Sequence, residues 1–280
     1  MSSSQLRPIV FFSKIISPEK LSELANLLSN DFHRGKIGIK INMGNKKGKN
    51  TIKPEFYRPL VNYFNGTVID TNSLYISNEK NIEEFSKYFE TEILDNNSPD
   101  DEIEIKDSKI LKKIYIGQNL KKFNSFIIIS NYFESREIGG VGSISELAVG
   151  LSSKQGKILQ MTGGKSDSFS EKKNKKYENK IFKETSAEVA LTIYNYIKRN
   201  AIFINILGNI NSENSENSEN IGIFASVDPV ALDKASVDFI YYAKNENMIQ
   251  RVEDLDEKYL IDYGEKLGMG KKDYELIMIN

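Results

Sequence analysis

The sequence predicts an α/β fold, a single domain over residues 1–280 with a central, mostly parallel sheet flanked by helices and a small hairpin-like excursion. Short apolar, β-branched runs recur along the chain, and stretches with helical periodicity stand between them, the order that gives parallel strands joined by crossover helices. The composition, 39% hydrophobic and 28% charged, is that of an ordinary globular protein.

Pro8–Phe12 reads as the first strand. Pro18 opens a helix that Ser17 can cap, with Leu21, Leu24, Leu27 and Leu28 on one face. Ile37–Ile41 is a second strand, closed by the Gly/Lys-rich loop Met43–Asn50. Pro54 starts a helix carrying Phe56, Leu60, Val61 and Phe64, which Gly66 stops before a third strand, Thr67–Asp70. A helix over Asn78–Phe89 precedes the polar loop Asp95–Asp101, and Ile103–Ile105 with Ile114–Ile116 form the excursion. Ser125–Ile129 is a buried strand, and Gly139–Ser143 leads into a helix through Leu151. Thr185–Lys198 is amphipathic, Ile202–Leu207 is a buried strand, Gly222–Ser226 is another, Asp228–Ala243 is helical, and Tyr259–Leu267 is a last helix ended by Gly268. Residues 166–180 and 211–220 are expected to be flexible loops. The second contains three copies of Asn-Ser-Glu, with no apolar group to bury.

Composition excludes several functions. With no Cys, the chain can form no disulfide and hold no Cys-ligated zinc or iron–sulfur cluster, so any cofactor is unknown. The single His33, set in NDFHRGK, reads as a solvated histidine at a helix end. Lys+Arg 38 against Asp+Glu 39 gives no basic excess for nucleic acid or anionic lipid. No signal-peptide pattern and no long apolar run is present, so a cytoplasmic, non-membrane protein is expected.

In open α/β sheets, ligands collect at the carboxyl ends of strands, most of all where strand order reverses. Four such ends carry polar groups: Lys40 and Asn42, then Asp70-Thr71-Asn72, then Ser130-Asn131, then Ser226 with Asp228. Side by side, they would form a polar pocket. Asp70 and Asp233 are the candidate catalytic acid/base or cation-holding residues. Lys40, Asn42, Thr71, Asn72, Ser130 and Asp228 are the candidate ligand-binding residues, and no metal ligand set is assigned. Each has a plainer reading. Asp70-Thr71-Asn72 suits a turn, and Asp228-Pro229 suits a helix cap. Asp233 shares a helix face with Val230, Val237 and Ile240, where a carboxylate is costly unless paired or facing a cavity. Lys234 and Asp238 read as a surface pair. The loop GNKKGKN is one residue short of a Walker loop, and GGVGS lacks the last glycine of a dinucleotide fingerprint.

Four segments carry a family resemblance: KIGIKINMG (Lys36–Gly44), IDTNSLY (Ile69–Tyr75), ASVDPVALDKASVD (Ala225–Asp238) and YLIDYGEKLGMGKKDYELI (Tyr259–Ile277). Together they resemble the uncharacterised, ferredoxin-linked family catalogued as domain of unknown function 362, over a core of about 8–277. The departures matter as much. Where relatives read Ser-His-Phe-Lys-Gly-His, this chain has SNYFES (Ser130–Ser135), and Ser145-Glu146 stands in place of Lys-Asn. Where relatives insert a ferredoxin-like domain, this chain has only Ser166–Lys180, and the Asn-Ser-Glu repeat replaces a Cys-Asp-Cys stretch. The resemblance therefore implies a divergent member that has lost iron–sulfur electron transfer while keeping Asp70, Asn72, Asp228 and Asp233. Three readings stand: an enzyme acting on a small polar or anionic molecule, a non-catalytic partner protein with a vestigial pocket, or a cation site built from oxygen ligands. A redox partner protein stays open.

Overall fold

The computed structural model describes residues 6–31, 35–43, 52–74, 79–96, 100–132, 142–166, 179–208, 220–254 and 256–280. His33, the loop over 44–51, the run 133–141 and the Asn-Ser-Glu repeat up to residue 219 lie outside them.

The chain runs β1 (Ile9–Ser13), α1 (Pro18–Leu27), β2 (Ile37–Lys40), α2 (Arg58–Phe64), β3 (Thr67–Asp70), α3 (Glu79–Ser86), β4 (Thr91–Ile93), β5 (Asp100–Glu104), β6 (Lys113–Gly117) and β7 (Ser125–Asn131). It continues through α4 (Ser143–Ser145), a π-helical turn Glu146–Gly150, α5 (Lys154–Thr162), α6 (Asn179–Tyr196), β8 (Ala201–Leu207), β9 (Gly222–Ser226), α7 (Pro229–Tyr242), α8 (Glu246–Asp254), α9 (Glu257–Lys266) and β10 (Glu275–Met278). The Ser17 hydroxyl caps α1 as expected, accepting from the Lys20 amide.

One eight-stranded sheet has the order β10-β1-β9-β8-β7-β2-β3-β4, and β5 pairs β6 in a separate antiparallel ribbon. Within the large sheet every neighbouring pair is parallel except the two that involve β9. The mixed α/β plan with a mostly parallel sheet is therefore the one the sequence predicts. β1 pairs β9 and β10 rather than β2. Four elements escape the sequence reading: the short edge strand β4, the helix α5, the amphipathic α8, and β10, which follows the Gly268 that ends the last expected helix.

Strand order reverses between β2 and β7. From β2 the chain steps outward to β3 and β4, and from β7 it steps the other way to β8 and β9. Side chains alternate across the sheet. Ile39, Val68, Ile127, Ile129, Ile202 and Ile204 face one apolar layer with Leu21 and Leu24 of α1 and Leu60 of α2. Phe126, Ile128, Phe203 and Leu207 face the other, with Leu147, Ala187 of α6, Val230 of α7 and Leu260 of α9. Among the described residues no helix is long and apolar enough to cross a membrane.

Candidate functional site

On the second of those faces, Lys40, Ser130 and Asn205 fall at the polar ends of three neighbouring strands. Ser130 and Asn205 are register partners, and Lys40 pairs Ile128, two residues before Ser130. All three are buried, at 2%, 1% and 0% exposure, so each needs a partner. The segment Gly142–Gly150 supplies them. Ser130 Oγ accepts the Gly142 amide at 3.0 Å, and Ser143 Oγ donates to Asn205 Oδ1 at 3.0 Å. Glu146 Oε2 meets Lys40 Nζ at 3.1 Å, and the Gly150 carbonyl accepts from Thr71 Oγ1 at 3.0 Å. One segment is thus stitched across the ends of β8, β7, β2 and β3.

Its π-helical turn follows from this seam. A π turn displaces carbonyls from their usual amides, and these need outside donors. The Ala148 carbonyl takes Ser152 Oγ and Gln160 Nε2, while the Gly150 carbonyl takes Thr71. A side chain at Gly150 would strike the Glu146 carboxylate.

Asp233 secures the start of the segment. Its Oδ1 accepts from the Ser143 amide at 2.7 Å and from Asn205 Nδ2 at 2.8 Å, and its Oδ2 accepts from the Ile144 amide at 2.9 Å. Gly142, at φ +94°, brings the backbone so close that a Cβ would sit 2.6 Å from Asp233 Oδ1. No cation pairs with Asp233 among the described residues. Burial therefore pushes its carboxyl up to about 6, and the three donors only limit the rise.

Around Lys40 the balance differs. Its ammonium lies 3.0 Å from Asp70 Oδ1 and 3.1 Å from Glu146 Oε2. Burial alone would lower this lysine, but the two carboxylates outweigh it and hold Lys40 well above the ordinary value. Asp70 also accepts from the Met43 amide at 3.1 Å and from the Thr71 amide at 2.8 Å.

The second lysine of the cluster is Lys157, on α5. Gly156 lets that helix approach β6, because a Cβ there would strike the Tyr115 carbonyl. Ser153 caps the helix, accepting from the Gly156 amide, and Asp95 accepts from the Lys154 amide. So docked, α5 turns Lys157 inward, at 5% exposure. Its Nζ donates to Thr71 Oγ1 at 2.7 Å and to the Asn72 carbonyl at 2.7 Å, both neutral oxygens. Burial lowers this amine to about 8, against the opposing pull of Asp70 and Asp95. Asn72 is held in turn by Asp95 Oδ1, which accepts its amide at 2.9 Å, and by Asn96.

The sequence candidates thus separate into three places. Lys40, Asp70, Thr71 and Asn72 converge with Lys157, and Asn42 lies two residues beyond Lys40. Ser130 joins the Asp233–Asn205 seam. Among the described residues Asp233 and Asp70 share no hydrogen-bond partner, although both networks hold the same segment. Asp228 requires a correction. β9 runs antiparallel to β8, so its carboxyl end, with Ser226 and Asp228, lies at the opposite edge of the sheet. There Asp228 caps α7, accepting from the Val230 and Ala231 amides at 2.9 Å, and takes the Lys271 amide at 3.0 Å. Lys234 and Asp238 pair at 2.5 Å along α7, as their spacing predicts.

Lys157 and Glu146 were missed by sequence reasoning. Glu146 left a trace, as the acid that replaces a family Asn. Lys157 left none, because a helical lysine ordinarily points to solvent and only the docking of α5 turns it in. Among the described residues no group of three His, Asp or Glu side chains could hold a metal ion.

No curated protein matches this chain. A solved structure of a protein from Thermotoga maritima is similar at 12% identity and a TM-score of 0.43, covering 84% of this chain. The chain spans 58% of that protein's length. A family model described as domain of unknown function (DUF362) matches residues 37–238, which takes in β2, the Lys40–Lys157 cluster, the 142–150 seam and Asp233. The chain belongs to that family, the one its strand-end motifs resemble, and does so without a single cysteine.

Proposed function

We infer that the chain binds a small polar ligand, carrying an anionic or carbonyl oxygen, at the carboxyl ends of β2 and β3. The observation that carries this reading is Lys157. An ammonium has three N–H donors. Two of these meet neutral oxygens, and the third has no acceptor among the described residues. A buried cation with an open donor and no direct carboxylate contact suits a ligand oxygen. The position also lies beside the β2/β7 reversal, where open α/β sheets bind ligands. Lys40 and Asp70 would then act as a fixed, charge-balanced floor, Asn72 would orient the ligand, and Asp233 would be a clamp.

Thermal unfolding with acetate, phosphate or glyoxylate tests the reading. A rise in Tm that saturates with one of these ions and vanishes in Lys157→Met supports it. No rise with any ion, or an equal rise in the variant, removes Lys157 as the contact.

One observation favours a second reading, a non-catalytic protein whose strand-end polar groups are structural. Lys40, Ser130, Asn205 and Thr71 all bond the Gly142–Gly150 segment. On that reading the seam is what the fold retains for display to a partner.

A further inference from the structure

Building on the ligand site just described, we propose that Lys157 is a nucleophilic amine that condenses with a small aldehyde or 2-oxo acid. A neutral amine has two N–H donors and one lone pair, arranged tetrahedrally with the Cε bond. Thr71 Oγ1 and the Asn72 carbonyl take two of the three outward directions, each at 2.7 Å. The third direction meets no acceptor among the described residues, which is what a lone pair requires. The surroundings thus satisfy every donor of the neutral form, while the protonated form keeps one N–H for the oxygen of a bound ligand.

The second lysine supports the assignment by contrast. Lys40 has Asp70 and Glu146 as direct partners, and an amine so paired stays protonated and unreactive. Lys157 has neither contact, and its burial favours the uncharged state. Lys40 opposes a second positive charge nearby, against the larger opposite pull of Asp70 and Asp95. In the reaction, the Lys157 lone pair forms a C–N bond to the carbonyl carbon. The C–O bond then breaks, and the oxygen leaves as water carrying the two amine hydrogens. No oxidant or reductant is consumed in forming the imine.

The test uses the wild-type chain, glyoxylate as the carbonyl probe and cyanoborohydride to reduce the imine. Peptide mass mapping then follows carboxymethylation of each lysine with time. Lys154, exposed on the same helix, is the internal reference. We expect Lys157 to be modified at least about tenfold faster than Lys154, as the larger neutral fraction of a buried amine requires. The rate should saturate with glyoxylate, and acetate should slow it. Modification no faster than Lys154 overturns the inference. If Lys157 then still governs the thermal shift with acetate or glyoxylate, the ligand site stands and only the covalent chemistry falls. If the shift is also absent, both fall. Lys157→Arg, which keeps the cation and removes the nucleophile, should keep acetate binding and lose the adduct.

Discussion

The Gly142–Gly150 segment is held by two buried clusters of different electrical character. At its start a single carboxylate, Asp233, meets only neutral donors. Toward its end Lys40 sits between Asp70 and Glu146, so charge answers charge. The proton balance follows that difference. Asp233, without a counter-ion, is pushed up to about 6, while paired Lys40 is held firmly charged. Lys157 stands beside the balanced cluster yet lacks a direct carboxylate partner, and it shifts toward its neutral form as Asp233 does. At Asp233 the hydrogen bonds do not offset the cost of burial, whereas at Lys40 two opposite charges do.

The sharpest way to break the contrast is to remove the cation. Lys40→Met leaves Asp70 and Glu146 close together and uncompensated, and should cost about 4 kcal/mol by urea unfolding. Adding Glu146→Gln should recover part of that loss, and a double-mutant cycle would show the coupling. A cycle without coupling would mean that the two charges do not depend on each other.

At the neutral-donor cluster, Asp233→Asn keeps the shape but turns one acceptor into a donor facing a backbone amide or Asn205. A loss of about 3 kcal/mol is expected at pH 7. The pH dependence sets the two regions apart further. The folded Asp233 binds its proton more tightly than the unfolded chain does, so its contribution favours folding at low pH. That contribution is lost as pH rises from the unfolded value of 3.8 to about 6. In the variant, this decline should be missing from the stability profile.

Lys157 gives the opposite sign. The unfolded chain holds its proton up to 10.5 and the folded chain only to about 8, so stability should rise with pH between those values. The gain over Lys157→Met should reach at most about 3 kcal/mol, read from urea unfolding at pH 7 and pH 10. A parallel pair of profiles would show that Lys157 is not buried as its contacts indicate. The smallest effect belongs to the half-exposed pair on α7. Lys234→Ala should cost about 0.5 kcal/mol and less in high salt, because water already screens both charges.

Much of the scaffold is legible from local sequence. β3 and β9 fall where Thr67–Asp70 and Gly222–Ser226 place them, because a short apolar run bounded by turn residues has few alternatives. The α1 start is fixed by Ser17 and Pro18, and the α7 start by Asp228 and Pro229. β4 and β10 are harder to read, since three or four half-exposed residues make little periodicity. The site is legible only in part. Lys40, Asp70 and Asp233 stand out as polar residues within apolar patterns, whereas Lys157 sits in a helix where lysine is ordinary.

The sequence by itself determined the alternation of strands and helices, the absence of thiol chemistry, and the presence of buried charge at the ends of β2, β3 and within α7. Its family motifs determined the membership that the match over residues 37–238 bears out. Tertiary structure alone decided which of those charges meet. The reversed direction of β9 sent Asp228 to the far edge, and the close docking permitted by Gly156 and Gly142 brought Lys157 to Thr71 and Asp233 to the Ser143 amide. Strand direction and close approach depend on partners far away in the chain. Local propensity carries no information about them.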